Sequence, residues 1–166
     1  VKRVVVASSR SIYGEGRYRA PDGSYVYPDH RAEADMQAGE FEVKQPGVDG
    51  PLELVATDEE SKIHPSSVYG ITKQVQEQLV MTVCPSIGIE GVAFRYQNVF
   101  GPGQSLSNPY TGILSIFSNL MMQGKPINIF EDGEESRDFV FVDDVVESII
   151  STIEDREINY DVFNVG

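Results

Sequence analysis

Tyr69 and Lys73 stand four residues apart in Tyr69-Gly70-Ile71-Thr72-Lys73, a spacing that puts both side chains on one face of a helix. A phenol with an ordinary pKa of about 10 is a poor base at neutral pH. A neighbouring ammonium favours the phenolate, which makes Tyr69 a candidate general base. The bland alternative is a surface tyrosine beside a solvated lysine. Two further pieces bear on the choice. Ser8 and Ser9 end the apolar run Val4-Val5-Val6-Ala7, and Arg95-Tyr96-Gln97-Asn98 leads into the Gly/Pro loop Val99-Phe100-Gly101-Pro102-Gly103. A serine at a strand end, a tyrosine with its lysine and a polar loop after another strand are together the parts of a hydride-transfer site.

The elements that must position these groups are legible as patterns. The β-branched run Val4 to Ala7 suits a parallel strand buried on both faces. Ligands of open α/β sheets bind beyond the carboxyl ends of the strands, where Ser8 and Ser9 fall. From about 15 to 57 Gly, Pro, Asp and Tyr recur without a period, which predicts a loop-rich insertion. A helix is expected from about Ser67 to Met81, with Val68, Ile71, Val75 and Leu79 as its apolar stripe and Gln74, Gln76, Glu77 and Gln78 on the other face. Pro85 and Gly88 close that region. Gly91 to Arg95 reads as the next buried strand, and Gly112 to Gln123 as a helix. Short strands at Ile127–Phe130 and Asp138–Val142 flank the turn Asp132-Gly133. A helix follows from Asp143 to Glu154, and Asp161 to Val165 forms a final strand. Alternating strand and helix predicts an α/β layered fold.

Composition limits the function. The 166 residues carry a formal charge of −13 with 40% hydrophobic residues, enough for a packed core and unsuited to nucleic acid, whose phosphates need a basic surface. No apolar run approaches the roughly 20 residues that span a bilayer, so no membrane role is expected. The single cysteine, Cys84, excludes an internal disulfide and a multi-cysteine metal site, and the default compartment is the cytoplasm. His30 and His64 are lone histidines, so no metal is assigned. Residues 15–62 hold 12 Asp/Glu against 5 Lys/Arg, −7 of the −13, and are read as a solvated acidic face turned away from an anionic substrate.

In order and wording, these motifs resemble the extended short-chain dehydrogenase/reductase family of NAD-dependent nucleotide-sugar epimerases and dehydratases, over nearly the whole chain. The resemblance implies the C-terminal part of a Rossmann-type, NAD(P)-binding parallel sheet plus a smaller substrate-binding subdomain. Residues 1–98 would be the second half of the dinucleotide-binding domain with the insertion at about 15–57, and residues 99–166 the nucleotide-sugar-binding region, truncated at its C-terminus. Such enzymes open with a Gly-rich G-x-x-G-x-x-G turn facing the dinucleotide pyrophosphate. None is present, and Val1 enters a strand directly without an initiator Met, so the chain reads as an internal or C-terminal piece of a longer enzyme. Some relatives hold a similar insertion with cysteine knuckles. Ala20, Gln45 and Val48 take those places here, which would forfeit a structural zinc.

The resemblance also implies roles. Ser9, Tyr69 and Lys73 are the catalytic set, with the positive nicotinamide ring of NAD adding to the pull of Lys73 on the phenol. Tyr69, Lys73 and Tyr96 would meet the cofactor. Ser9, Ser11, Asn98, Ile113 and Arg137 would meet a nucleotide-diphosphate sugar, Arg137 through two parallel bonds to phosphate oxygens. The segment from Gln104 to Ile113 lies where relatives wrap the sugar and base. The bland readings are a strand-end cap for the serines, Ser8 being the better one, a core aromatic for Tyr96, and an ion pair with Asp138 or Asp143 for Arg137. Arg95 has an internal carboxylate as its expected partner. Dehydratase relatives carry Asp-Glu where this chain has Arg10-Ser11, so oxidation and re-reduction of one carbinol is favoured. That implies a 4-epimerase, in wording most like the branch acting on TDP-L-rhamnose. The alternatives are a UDP-hexose 4-epimerase, a 4-ketosugar reductase, or a non-catalytic nucleotide-binding scaffold. The isolated 166 residues are expected to be inactive. Relatives dimerise through the tyrosine helix, and Val75 and Leu79 suit either such a homodimer or an ordinary core.

Overall fold

The computed structural model describes residues 1–106, 112–155 and 157–166. In chain order the elements are β1 (Arg3–Ser9), a 3-10 turn (Arg10–Tyr13), β2 (Tyr18–Arg19), β3 (Tyr25–Val26), α1 (Glu33–Gln37), β4 (Glu53–Leu54), α2 (Val68–Ser86), β5 (Glu90–Tyr96), β6 (Asn98–Phe100), α3 (Ile113–Met122), β7 (Phe139–Phe141), α4 (Val142–Glu154) and β8 (Asp161–Val165). They fall into two units, Val1–Arg95 with Tyr160–Asn164, and Tyr96–Asn159 with Val165–Gly166.

The α/β layering expected from the alternation is what forms. β1, β5 and β8 make a parallel sheet in the order β1-β5-β8, and α2 supplies the crossover from β1 to β5 that a parallel pair requires. Val92, Ala93 and Phe94 of β5 are buried, as are Ile12 and Tyr13 of the 3-10 turn. Phe94 meets the ring of Phe163 at 6.0 Å. β1 departs from expectation, since Val4, Val5 and Val6 are only half-buried and its buried residues are Ser8 and Ser9. It is the edge strand, with α2 packed on it.

α2 runs past the expected end at Met81 to Ser86, with Pro85 in its last turn. There the lost N–H forfeits one helical bond without a following turn to disrupt. Ser67 caps the helix, its hydroxyl accepting from the Gly70 amide at 3.0 Å. The apolar stripe Val68, Ile71, Val75 and Leu79 lies exposed, whereas Gly70, Glu77 and Cys84 are buried. Glu77, read from sequence as polar surface, is thus an inward residue.

The insertion is not structureless. β2 pairs antiparallel with β3, Tyr18 opposite Val26 and Arg19 opposite Tyr25, and with β4, Tyr18 opposite Leu54 and Arg19 opposite Glu53. Two-residue strands are too short to leave a period in the sequence, which is why pattern reading missed them. Ala20 is buried, and the turns Ala20–Gly23 and Gln45–Val48 each close by a backbone bond, at 2.8 and 3.1 Å.

In the second unit β6 and β7 pair in parallel, Asn98 opposite Phe139 and Phe100 opposite Phe141. Phe100 packs edge-on to Phe139 at 6.2 Å and against Phe141 at 5.5 Å. No strand forms at 127–130, where Ile129 and Phe130 are exposed, but the turn at Asp132-Gly133 closes, the Gly133 amide donating to the Phe130 carbonyl at 3.1 Å. Asp143 and Asp144 sit in the first turn of α4, where its dipole favours negative charge.

Gly70 is where α2 meets the 3-10 turn: a Cβ there would lie 2.5 Å from the Ser11 carbonyl oxygen and 2.9 Å from Pro65 Cβ. Gly70→Ala is expected to destabilise the protein by about 1–3 kcal/mol, because backbone must move to admit the methyl. An unfolding midpoint equal to wild type in urea would show that α2 can stand off the turn.

Candidate active site

In the first unit β1 delivers Ser8 and Ser9 to its carboxyl end. Ser9, with extended backbone, is the N-cap of the 3-10 turn. Its Oγ accepts from the Ser11 amide at 3.2 Å and from the Ser11 hydroxyl at 3.0 Å. A serine oxygen has two lone pairs and one proton, so Ser9 has filled its acceptor sites and retains a proton to donate. The cap is therefore Ser9 rather than Ser8, whose buried Oγ has no partner among the described residues.

Tyr69 and Lys73 lie on consecutive turns of α2. Tyr69 is 57% exposed. The Lys73 ammonium lies 5.7 Å from the centroid of the Tyr69 ring and donates to the Ala7 carbonyl at 2.9 Å. That bond ties the lysine to the strand end that carries Ser9.

Behind this face lies a buried polar network. The Arg95 guanidinium grips Glu77, Nη2 to Oε1 at 2.6 Å and Nε to Oε2 at 3.1 Å. Its Nη1 donates to the Tyr13 phenol at 2.6 Å and to the Glu59 carbonyl at 3.1 Å. Tyr13 in turn donates to Asn164 Oδ1 at 2.8 Å. Burial disfavours the charge on Arg95, but Glu77 and Tyr13 outweigh it and hold the guanidinium above its ordinary pKa. Burial also raises the Tyr13 phenol, against the pull of Arg95 and Asn164. Arg95 has the internal carboxylate expected for it. Glu77 and Tyr13 went unassigned in the sequence, although Glu77 is one turn beyond Lys73 on the same helix face, a signal that its carboxylate faces the sheet.

In the second unit a cavity of about 220 Å³ brings together Asn98, Ile113 and Arg137, with Phe100, Gln104 and Phe139 completing the wall. The Asn98 side chain donates to the Asp138 carbonyl at 3.0 Å. Arg137 donates to the Glu135 carboxylate at 2.6 Å and to the Ser136 carbonyl at 2.8 Å, so its ion pair is with Glu135 rather than Asp138 or Asp143. Tyr96 is buried, its hydroxyl 3.4 Å from that of Ser148, and burial raises its pKa. Of the segment Gln104 to Ile113, residues 107–111 lie outside the described residues. Among the described residues no three His, Cys, Asp or Glu side chains are grouped to hold a metal ion, and no helix is long and apolar enough to cross a membrane.

A serine with a free proton at a parallel strand's end, beside a helix bearing tyrosine and lysine, defines a class that comparison makes definite. The chain belongs to the NAD dependent epimerase/dehydratase family, whose model matches residues 45–166. It is 37% identical over 166 residues to the dTDP-L-rhamnose 4-epimerase of Burkholderia thailandensis, covering 100% of this chain and 44% of that one. Its fold is similar to the UDP-glucose 4-epimerase of Thermotoga maritima solved with UDP-glucose, at a TM-score of 0.72 and 28% identity over 100% of this chain and 42% of the other. The UDP-N-acetylglucosamine 4-epimerase of Methanobrevibacter ruminantium gives the same TM-score, 0.72, at 27% identity, with 100% and 41% covered. The chain thus spans less than half the length of the relatives it matches. The Rossmann-type fold anticipated from the motifs is the fold these solved epimerases share with it.

Removing one partner of the Arg95–Glu77 pair leaves a buried charge uncompensated. Glu77→Ala is expected to cost about 3–5 kcal/mol in chemical denaturation, and a cost below about 1 kcal/mol, typical of exposed pairs, would mean that Arg95 finds water in its place.

Proposed function

We propose that this chain is part of an NAD-dependent nucleotide-sugar 4-epimerase acting on TDP-L-rhamnose or a closely related sugar. The observation that carries the reading is the Ser9–Ser11 pair at the end of β1, with Lys73 anchored to Ala7 beside it. Ser9 donates to the oxygen on the reacting carbon, and Tyr69 takes the proton from the sugar's 4-hydroxyl. Tyr69 returns the proton to that oxygen when carbon 4 is reduced again from its opposite face. Ser11 is engaged with Ser9, and neither it nor Arg10 is a carboxylic acid, so no group at this position protonates a leaving hydroxyl as dehydration requires. That favours epimerisation over elimination. The 37% identity to a dTDP-L-rhamnose 4-epimerase supports the sugar.

The residues present fit the cofactor. Lys73 spends one bond on Ala7, leaving protons of its ammonium for further acceptors, and the Tyr69 hydroxyl makes no bond among the described residues. Tyr69, Lys73 and Tyr96 would hold the nicotinamide end. When bound, NAD supplies the reversible acceptor for the hydride on carbon 4. Residues 1–98 serve as the second half of the dinucleotide domain, and 99–166 as the nucleotide-sugar region. Asn98, at the boundary between them, receives the nucleotide diphosphate together with Ile113 and Arg137. The Arg137–Glu135 pair is exposed, 38% on each side, and exposed pairs are worth at most about 1 kcal/mol, so a diphosphate displaces the carboxylate at little cost. One cysteine and a nucleotide-sugar substrate support a cytoplasmic site of action.

The test is proton NMR of TDP-L-rhamnose incubated with the full-length protein and NAD. The expected result is the 4-epimer, with its changed coupling at position 4. Tyr69→Phe is expected to lower kcat about 10²–10⁴-fold with nucleotide-sugar affinity nearly unchanged, and the 166 residues alone to give no product. Conversion of UDP-hexoses only would reassign the substrate, and wild-type turnover by Tyr69→Phe would remove the phenol from the mechanism.

We also infer a homodimer through the Tyr69 helix. Ile71, Val75, Leu79 and Val83 are exposed at four-residue spacing along α2, a stripe suited to a second copy of itself. The full-length protein is expected to sediment as a dimer and Leu79→Glu as a monomer; a wild-type monomer would contradict the assignment.

A further inference from the structure

We propose that Tyr13 is a positioning residue of this site: its phenol locks the turn carrying Ser9 and Ser11 onto the Arg95–Glu77 pair and, through Asn164, onto the strap 57–64 that closes the insertion. The catalytic part of this rests on the epimerase reading above; the mechanical part rests on the hydrogen bonds alone.

The turn is only four residues long, Arg10–Tyr13, and is fastened at both ends. At its start Ser11 bonds to Ser9. At its end Tyr13, 3% exposed, accepts from Arg95 and donates to Asn164. Between them the Ile12 carbonyl accepts from the His64 amide at 3.0 Å, so the strap touches the turn directly. Asn164 holds the strap from the other side, its Nδ2 donating to the Thr57 carbonyl at 3.0 Å and its amide to the Glu59 carboxylate at 2.7 Å. Arg95 adds its own bond to the Glu59 carbonyl.

Every polar atom of Asn164's side chain and the Tyr13 hydroxyl is engaged, in a partly buried chain that couples strand, turn, helix and strap. The Ser9 hydroxyl is aimed by Ser11, and Ser11 sits two residues from Tyr13 on that turn. Removing the phenol oxygen leaves Nη1 of Arg95 with only the Glu59 carbonyl and frees Oδ1 of Asn164, while the ring keeps its place under the guanidinium at 5.1 Å. Burial holds the phenol protonated at neutral pH, as donation to Asn164 requires. The strap that follows the insertion therefore bears on the site without supplying a residue that touches the sugar.

Tyr13→Phe in the full-length protein tests this with two readouts. For the reaction, kcat is expected to fall about tenfold or more, since small misplacements of a reacting group cost up to about 10², while KM for the nucleotide sugar stays within about twofold because the diphosphate grip is elsewhere. An unchanged kcat overturns the positioning role. For the coupling, hydrogen exchange at the His64 and Asn164 amides is expected to speed up about tenfold, with Val92–Phe94 of β5 unchanged. Equal exchange at His64 and Asn164 in both proteins overturns the lock. If the wild-type protein turns over no nucleotide sugar, the epimerase reading falls, and the exchange comparison still decides the coupling.

Discussion

The buried Arg95–Glu77 ion pair is the constraint on which the site depends. Taking two charges out of water is costly and is recovered only when geometry is good and the remaining donors find acceptors. Arg95 meets both conditions, with a two-point grip on Glu77 and its last nitrogen shared between Tyr13 and Glu59. Because Glu77 can reach Arg95 from only one rotational setting of α2, the pair sets which side of the helix faces the sheet. Lys73 and Tyr69 lie one and two turns earlier on that helix, so their direction follows from the same pair.

The sheet side of the site is governed by close approach. Gly70 lets the first turn of α2 lie against the Ser11 carbonyl, and Gly14, with φ of 59°, turns the chain away where a Cβ would meet the His64 carbonyl at 2.7 Å. The insertion leaves at Gly14, and the chain comes back against that same glycine at His64. Its own small sheet is held at the base by Arg17, which bonds to the Ala56 carbonyl at 2.9 Å and pairs with Asp58 at 2.6 Å. Ser61 and Arg17 hold the Asp58 carboxyl below its usual range. The segment is thus anchored at its base.

The second unit has a different economy. Its cavity is walled by Phe100 and Phe139, which the parallel β6–β7 pairing sets side by side. The polar groups there, Asn98 and Arg137, are tied to backbone carbonyls or to an exposed carboxylate. Such bonds hold both side chains in place at the cavity wall.

The amino-acid sequence by itself determined the elements with a period and the residues with a spacing. Tyr69 and Lys73 on one helix, Ser9 at a strand end, β8 at Asp161–Val165 and the α/β class were all legible, because local periodicity and strand-end position are properties of neighbouring residues. Tertiary structure alone decided what depends on partners distant in the chain. Glu77 looked like one more polar residue of a glutamine-rich face until Arg95, eighteen residues away, made it the buried one. Tyr13 carried no assignment until Asn164, at a separation of 151, accepted its hydroxyl hydrogen bond. The short strands of the insertion, and the choice of Glu135 as partner for Arg137, belong to the same group. A hydrogen bond or ion pair across the fold has no period, and only the folded chain brings its two halves together.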